Sequence, residues 1–366
     1  MVYKCRQILK ITKNIEYKLY NEDNDIVNAK KSFHIDKFSY LAVLGKGSFG
    51  SVLLANYTTE NGTLESYALK ILHKTNDNKQ GAKTIEEINI LFLLKHKYII
   101  QIHGTFQTAN LISIVLEPLL HGDLYMIMYE NHNIILNSDL ILFYTYSLVV
   151  VLNYIHSKGI IYRDLKPENI MFNSNGYIKL VDVGLSKRCR YVNEYTDDNG
   201  NKIREIVDEK TYSLCGTPEY IAPEIMDKTG YNKSCDIWAL GVVIYEMHLL
   251  KTPFQSNNMT ELFSKIYSVT KIPFSLDRYE KTKIANPNME DFITNLLIDI
   301  PSSRLVKNSN MLNHPVFEKL DTKHIDDGTY VPNYIPEKID SNSYDSLSVL
   351  KPVPIYTGDN EIYKNI

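Results

Sequence analysis

The sequence predicts an α+β protein of two unequal lobes, a small β-rich one followed by a larger, mostly helical one, with an extended tail. Three observations carry this. Between residues 38 and 120 apolar and small residues come in short alternating runs around glycines, as strands and tight turns do. After Gly122 the apolar residues take up helical spacing. From residue 319 the chain is rich in Asp, Asn, Ser, Tyr and Pro, with little to build a core. The chain has 366 residues, 44% apolar and 23% charged, with a formal net charge of −3. That is ordinary globular composition, and it argues against nucleic acid as a partner.

Taken in order, residues 1–37 form a basic-leaning extension without a core pattern. "FSYLAVLGKGSFGSVLLANY", from Phe38, reads as two strands joined by a glycine turn. "SYALKIL" (66–72) is a third strand. Residues 81–95 carry Ile85, Ile88, Leu91 and Leu94 at helical spacing. "ISIVLEPLL" (112–120) is a buried strand stopped near Pro118. Helices follow at 123–130, 138–156, 234–250, 259–268 and 289–298, with short strands at 169–173 and 177–182. The division is a small lobe at 38–117, a hinge at 117–123, a large lobe at 124–318 with an insert at about 190–210, and a tail at 319–366. The longest apolar run, "LILFYTYSLVVVL" (140–152), is too short to span a bilayer and reads as a core helix, so no transmembrane segment is expected. Cys5, Cys189, Cys215 and Cys235 lack metal-ligand spacing and suggest no disulfide framework. "MVYKCRQILK" has no signal-peptide apolar core, and Val2 excludes the usual myristoylation signal. A cytoplasmic location, with access to the nucleus, is the expectation.

The turn "LGKGSFGSV" (44–52) contains G-x-G-x-x-G. Glycines there let backbone amides approach a phosphate, although a flexible hairpin turn has the same composition. The dinucleotide fingerprint requires a helix after the turn, and here a strand follows. No G-K-[S/T] follows either, which excludes a Walker loop. Strand, glycines, strand, and then Lys70 eighteen residues after Val52, is the kinase arrangement.

With "YALK" (67–70), "IIYRDLKPENIMF" (160–172), "DVG" (182–184) and "CGTPEYIAPE" (215–224), the chain resembles a eukaryotic protein kinase over about residues 36–345. The Tyr of Y-R-D, the string "SLCGTPEY" and the tail are similar to the AGC group, such as the cyclic-nucleotide-dependent kinases and protein kinase C. The resemblance implies a bilobal protein kinase fold and ATP-dependent phosphorylation of Ser/Thr, with ATP and Mg²⁺ (Mn²⁺ as a substitute). Such transfer rests on positioning and charge neutralisation. By resemblance, Asp164 orients the acceptor hydroxyl and takes its proton, and Lys166 meets the γ-phosphate. Thr217 completes the catalytic set and marks Ser/Thr specificity. Asn169 and Asp182 hold Mg²⁺ through oxygen ligands. The ATP site takes in Leu44, Gly45, Lys46, Gly47, Ser48, Phe49, Gly50 and Val52. It continues with Ala68, Lys70, Glu87, the gatekeeper Leu116, hinge backbone at Glu117 and Leu119, and Met171. Glu86 competes with Glu87 as the partner of Lys70.

The same resemblance makes Asp123, Glu168 and Glu246 receptors for arginines preceding the target residue, and Leu214, Pro218 and Ile221 a pocket for an apolar residue after it. Expected partners are therefore protein substrates with basic motifs. Ser213 stands at the activation-loop phosphosite, facing Arg163, Lys187 and Lys83. It would be modified by an upstream kinase or by autophosphorylation, in a monomeric protein. Between Asp182 and Ser213 the loop is longer than usual. Its extra part, "YVNEYTDDNGNKIREIVDEK", leans acidic and carries the hairpin signal Asn199-Gly200. Disorder is the default expectation, with an autoinhibitory flap or a docking element as alternatives. In the tail, Tyr344 is expected near adenine. "NEIYKNI" lacks a clear terminal aromatic motif, so no anchoring of the tail end is expected.

One departure bears on activity. Val183 stands where the family carries Phe, in a packing column with Leu91, Ile102 and Tyr162. A smaller side chain predicts a looser link between the 81–95 helix and the metal site, not lost chemistry. A pseudokinase is the main alternative, but Lys70, Asp164, Asn169 and Asp182 are all present. A small-molecule kinase has little need of "CGTPEYIAPE".

Overall fold

The small lobe is a five-stranded antiparallel sheet of β1 (Phe38–Gly47), β2 (Gly50–Thr58), β3 (Leu64–His73), β4 (Ile102–Gln107) and β5 (Leu111–Leu116). Their order is β1-β2-β3-β5-β4, with helix α1 (Asn78–Leu93) between β3 and β4 in sequence. This computed structural model describes residues 33–47, 50–130, 136–196, 202–269, 274, 284, 286–304, 311–340, 343–346, 357 and 363, with backbone alone at 191–196 and 202–208. Most of the N-terminal extension, through residue 32, and Ser48 and Phe49 of the glycine turn lie outside the described residues. A Cβ on Gly50 would sit 1.8 Å from the Ile71 carbonyl oxygen, so β2 can lie on β3 there only as glycine. Strand register then fixes the nucleotide-facing rows: Val52 is opposite Lys70, and Ala68 is opposite Leu116. β4 was not foreseen, because Gly104 and a register shift beside it break the alternation that marks a strand.

Helix α1 begins at Asp77, whose carboxylate accepts from Lys79 N at 2.9 Å. Its buried face includes Thr84, Glu87, Ile88 and Leu91, spaced three or four apart. The periodicity therefore turns Glu87, rather than the half-buried Glu86, toward the sheet.

The large lobe contains α2 (Ser138–Ser157), short strands β6 (Ile160–Ile161), β7 (Ile170–Phe172), β8 (Ile178–Leu180) and β9 (Lys187–Arg188), and the ribbon β10 (Arg190–Thr196) with β11 (Lys202–Asp208). It continues with α3 (Pro223–Met226), α4 (Ser234–Leu249), α5 (Met259–Ser268), α6 (Pro287–Leu296) and α7 (Thr322–Asp327). Helix α2 is long and apolar enough to cross a membrane, but 72% of its apolar window is buried inside the protein, so that surface is used as core. Helix α4 is buried along nearly its whole length. The stretch expected as a helix at 123–130 is instead a π-helical turn, Met126–Glu130, started by Asp123 accepting from Met126 N at 2.8 Å.

Two expectations are corrected. The backbone of the insert is not disordered in its described part: β10 and β11 pair antiparallel from Arg190↔Asp208 to Thr196↔Lys202, while Asn199-Gly200 lies outside the described residues. The ribbon is closed at its root by Glu209 N donating to Cys189 O at 2.7 Å, and Cys189 N donates to Gly159 O at 2.8 Å. It thus springs from the end of α2, beside the large lobe. The tail end is also anchored. Tyr363 is 1% exposed; its hydroxyl accepts from Thr75 N at 3.3 Å, and Gln107 Nε2 donates to its carbonyl at 2.9 Å. The Lys74 ammonium lies 5.3 Å from its ring centroid. One aromatic ring between β3 and β4 suffices, so the family's longer motif is not required.

Candidate active site

β3, α1 and the segment after β8 converge on one ammonium. Lys70 Nζ donates to Glu87 Oε1 at 2.6 Å and to Asp182 Oδ1 at 3.0 Å. Burial disfavours the Lys70 charge, but the two carboxylates outweigh it and its pKa rises. Burial pushes Glu87 upward, only partly offset by Lys70. For Asp182, burial is overcome by Lys70 and by the Gly184 amide, and the pKa falls. Lys70 and Asp182 thus hold each other in the charged form, while burial works against the charge on Glu87. Asp182 itself sits at φ +36°, with its side chain 51% exposed and one oxygen bonded by Gly184 N at 3.1 Å. A Cβ on Gly184 would lie 3.1 Å from Asp182 Oδ1 and 3.3 Å from Glu87 Oε2, which explains glycine there.

Below the cleft, the loop between β6 and β7 is pinned from beneath. Buried Asp236, on α4, accepts from Tyr162 N at 2.9 Å and Arg163 N at 2.8 Å, and pairs with His156 Nε2 at 2.7 Å. Arg163 takes φ +70° here. The loop turns Asp164 upward, where Thr217 Oγ1 donates to its Oδ1 at 2.9 Å and Lys166 Nζ lies 3.2 Å from Oδ2. Lys166 also donates to Thr217 Oγ1 at 2.9 Å. Asn169 Nδ2 donates to the Asp164 carbonyl and to Oδ2, at 2.8 and 3.0 Å. That leaves its amide oxygen as a ligand atom. One neutral and one anionic oxygen donor suit a hard divalent cation that keeps waters and phosphate oxygens in its shell.

Val183 is buried in the same core as Leu91 and Tyr162, with Ile102 packed against it. Tyr162 is fully buried and its hydroxyl donates to Val181 O at 2.7 Å, holding the backbone just before Asp182. The Lys70–Glu87 pair is formed with Val in the column, so the smaller side chain does not displace α1.

Leu44, Val52, Ala68, Leu116, Leu119 and Met171 are buried or half-buried beside the hinge, and Met171 pairs with Asp123 through a backbone bridge. The Glu117 side chain turns away, accepting from Lys179 Nζ at 2.5 Å and Gln101 N at 2.7 Å, and its own N–H donates to Gln101 O at 3.0 Å, which leaves its backbone carbonyl for a base. Lys46 also turns away from the cleft, to tail residue Asp345 at 2.9 Å, leaving its backbone for phosphate. The tail crosses the hinge, where Ile339 N donates to Leu120 O at 2.8 Å. It then bridges β1, where Val43 N donates to Asp345 O at 3.0 Å.

Burial raises the Asp123 and Glu246 carboxyls, and the nearby Glu168 charge adds to both. Glu168 is exposed, Asp123 half-buried and Glu246 deeply buried. Ser213 is exposed, and its carbonyl accepts from the Tyr231 hydroxyl at 2.7 Å, which in turn accepts from Arg163 Nη1 at 3.3 Å. Lys83 is exposed and Lys187 half-buried. Sequence reasoning missed Asp236, although an Asp within the all-round apolar "SCDIWALG" was a usable signal. It also missed Arg304, which forks onto Glu224 at 2.6 and 2.7 Å and holds the end of the substrate platform.

The protein kinase domain model matches residues 38–317, and the chain belongs to that family. Within it, the chain is 34% identical over 306 residues to cAMP-dependent protein kinase type 3 of Saccharomyces cerevisiae, covering 80% of this chain and 69% of that one. It is 34% identical over 243 residues to a cAMP-dependent protein kinase catalytic subunit-like protein of Caenorhabditis elegans (66% and 55%). It is 37% identical over 231 residues to human ribosomal protein S6 kinase alpha-3 (63% and 29%). The chain thus spans little more than half, or less, of the second and third of these relatives. Its place is among the AGC group of serine/threonine protein kinases.

Proposed function

We propose that this chain transfers the γ-phosphoryl of Mg-ATP to Ser or Thr hydroxyls in peptides with basic residues before the target, and that phosphorylation of Ser213 orders its activation segment. The observation that carries the reading is the joint presence of the Lys70–Glu87 pair at 2.6 Å and the Asp164–Lys166–Thr217 cluster. Both halves of a phosphotransfer site are assembled in one conformation.

Lys70 would grip phosphate oxygens, kept charged by two carboxylates. Asp164 would accept the hydroxyl proton; the Thr217 bond to Oδ1 and the Asn169 bond to Oδ2 fix its orientation. Lys166, already at the cluster, would neutralise charge on the transferred group. Asn169 and Asp182 would hold Mg²⁺, which when bound neutralises phosphate charge. For Ser213, Arg163 lies one phenol away, through Tyr231, and a phosphate there gains charge-assisted bonds. The insert, rooted beside the end of α2, reads as a docking element rather than a flap across the cleft. The free thiols of Cys189, Cys215 and Cys235 fit a cytoplasmic setting.

The test is Mg-ATP turnover on basic peptides beside Asp164→Ala. Wild type should turn over, and the variant should lose about 10²–10⁴-fold in kcat. Equal inactivity with retained ATP binding would make the protein a scaffold. A peptide array favouring acidic or proline-directed sequences would overturn the substrate reading.

A further inference from the structure

Glu246, on α4, is 3% exposed, and neither of its carboxylate oxygens is open. Oε1 accepts from the Tyr129 hydroxyl at 2.7 Å and Oε2 from the Tyr220 hydroxyl at 2.6 Å. A guanidinium recognises a carboxylate best by its fork, one N–H to each oxygen, and here each oxygen already carries a phenol in a site closed to solvent. Tyr129 belongs to the π-helical turn just after the hinge, and its ring is packed at 4.8 Å, centroid to centroid, by Tyr125. Tyr220 stands in the substrate platform itself. By contrast, Glu168 is exposed at the cleft, and the half-buried Asp123 accepts from backbone amides of the turn that follows it, Met126 N at 2.8 Å and Tyr125 N, rather than from a phenol. We propose that Tyr129 is a specificity-determining residue: with Tyr220 it closes Glu246 to substrate arginines, so that Asp123 and Glu168 alone read them, while Glu246 ties the hinge turn to the platform. This rests on the basic-peptide reading above and departs from the three-acid receptor that the sequence suggests.

The electrostatics agree. Burial, with Glu168 and Glu219 nearby, pushes Glu246 up to about 7, while the two phenols pull the other way. At neutral pH such a group is only partly ionised and is a poor standing receptor for a cation.

The test uses the full chain and peptides with no, one or two arginines at positions −3 and −2, comparing the KM ratio of the arginine-free to the arginine-bearing peptide. Asp123→Asn and Glu168→Gln should cut that ratio tenfold or more. Glu246→Gln should leave it within twofold. Tyr129→Phe, which frees Oε1 at almost unchanged shape, should raise the ratio for the doubly basic peptide threefold or more. That gain should grow from pH 6 to pH 8 as Glu246 loses its proton, and disappear in Tyr129→Phe/Glu246→Gln. Thermal unfolding of each variant separates recognition from folding, since a variant that merely unfolds lowers kcat on all three peptides together. The proposal is overturned if Glu246→Gln alone cuts the ratio tenfold, or if Tyr129→Phe leaves it unchanged. A wild-type ratio of one is a different failure, that of the basic-peptide reading, and the proposal falls with it.

Discussion

Lys70 and Glu87 of the small lobe and Asp182 of the large one come from three separate elements and meet through their charged side chains, at 2.6 and 3.0 Å. In the large lobe, Asp164, Lys166 and Asn169 come from one loop, whose backbone is fastened to buried Asp236. The difference is one of adjustability. A contact between side chains of independently packed elements responds to any shift of α1. A loop whose amides are bonded to an acid inside the core does not move without unfolding locally. The catalytic loop is therefore the fixed part of the site, and the Lys70–Glu87–Asp182 contact the part that a shift of α1 can reach.

The strongest way to break this comparison is to remove the fastening. Asp236→Ala would strip Tyr162 N, Arg163 N and His156 Nε2 of their acceptor inside the core. Each unsatisfied buried donor costs about 1–3 kcal/mol. We expect a large fall in Tm and loss of kcat, with KM for ATP little changed in whatever fraction folds. Normal kcat would show that the loop holds itself.

The small-lobe counterpart is Tyr363→Ala, which removes a fully buried ring from between β3 and β4. Burial of this size is worth about 3 kcal/mol. Because Thr75 lies just before α1, the expected signature is local: faster amide exchange in α1 and a raised KM for ATP. An exchange pattern that changes equally in both lobes would erase the distinction drawn between them.

How far the sequence was readable follows the same line. Local signals sufficed for β1, β2 and β3 and for α5 at 259–268 to the residue, and the candidate catalytic residues fall in short strings. Contacts between distant segments were not readable. Tyr363 meets Thr75 and Gln107 across more than two hundred residues, so nothing near "NEIYKNI" announces its pocket. Tyr129 caps Glu246 only because the hinge turn is π-helical, a geometry with no marker in "MIMYE". For the insert, Asn199-Gly200 argued for a ribbon such as β10 and β11 form, but the polar arms do not alternate strongly enough to outweigh the disorder reading.

Val183→Phe sharpens the comparison from the middle, since residue 183 joins the two halves. Glu87 already reaches Lys70, so the larger ring has no displaced helix to recover. It must be accommodated in a core where overpacking costs about 1–3 kcal/mol. Activity should be retained or modestly raised, with any strain appearing as a lower Tm. Abolished activity would refute the view of Val183 as a packing element.

The smallest effect belongs to the most exposed contact. Lys46 and Asp345 pair at 2.9 Å with side chains 44% and 58% exposed, next to the backbone bond from Val43 N to Asp345 O. An ion pair this open is worth about 0.2–1 kcal/mol and is screened by salt. Asp345→Ala removes the charge but keeps the bridge, so KM for ATP should rise only about two- to fivefold at low ionic strength, with kcat unchanged. The effect should vanish in high salt, and the swapped pair Lys46→Asp with Asp345→Lys should restore it. Persistence of the effect in high salt would mean that the tail acts on β1 through its backbone alone. The small lobe would then be held, like the large one, by main-chain bonds, and charge would no longer distinguish the two.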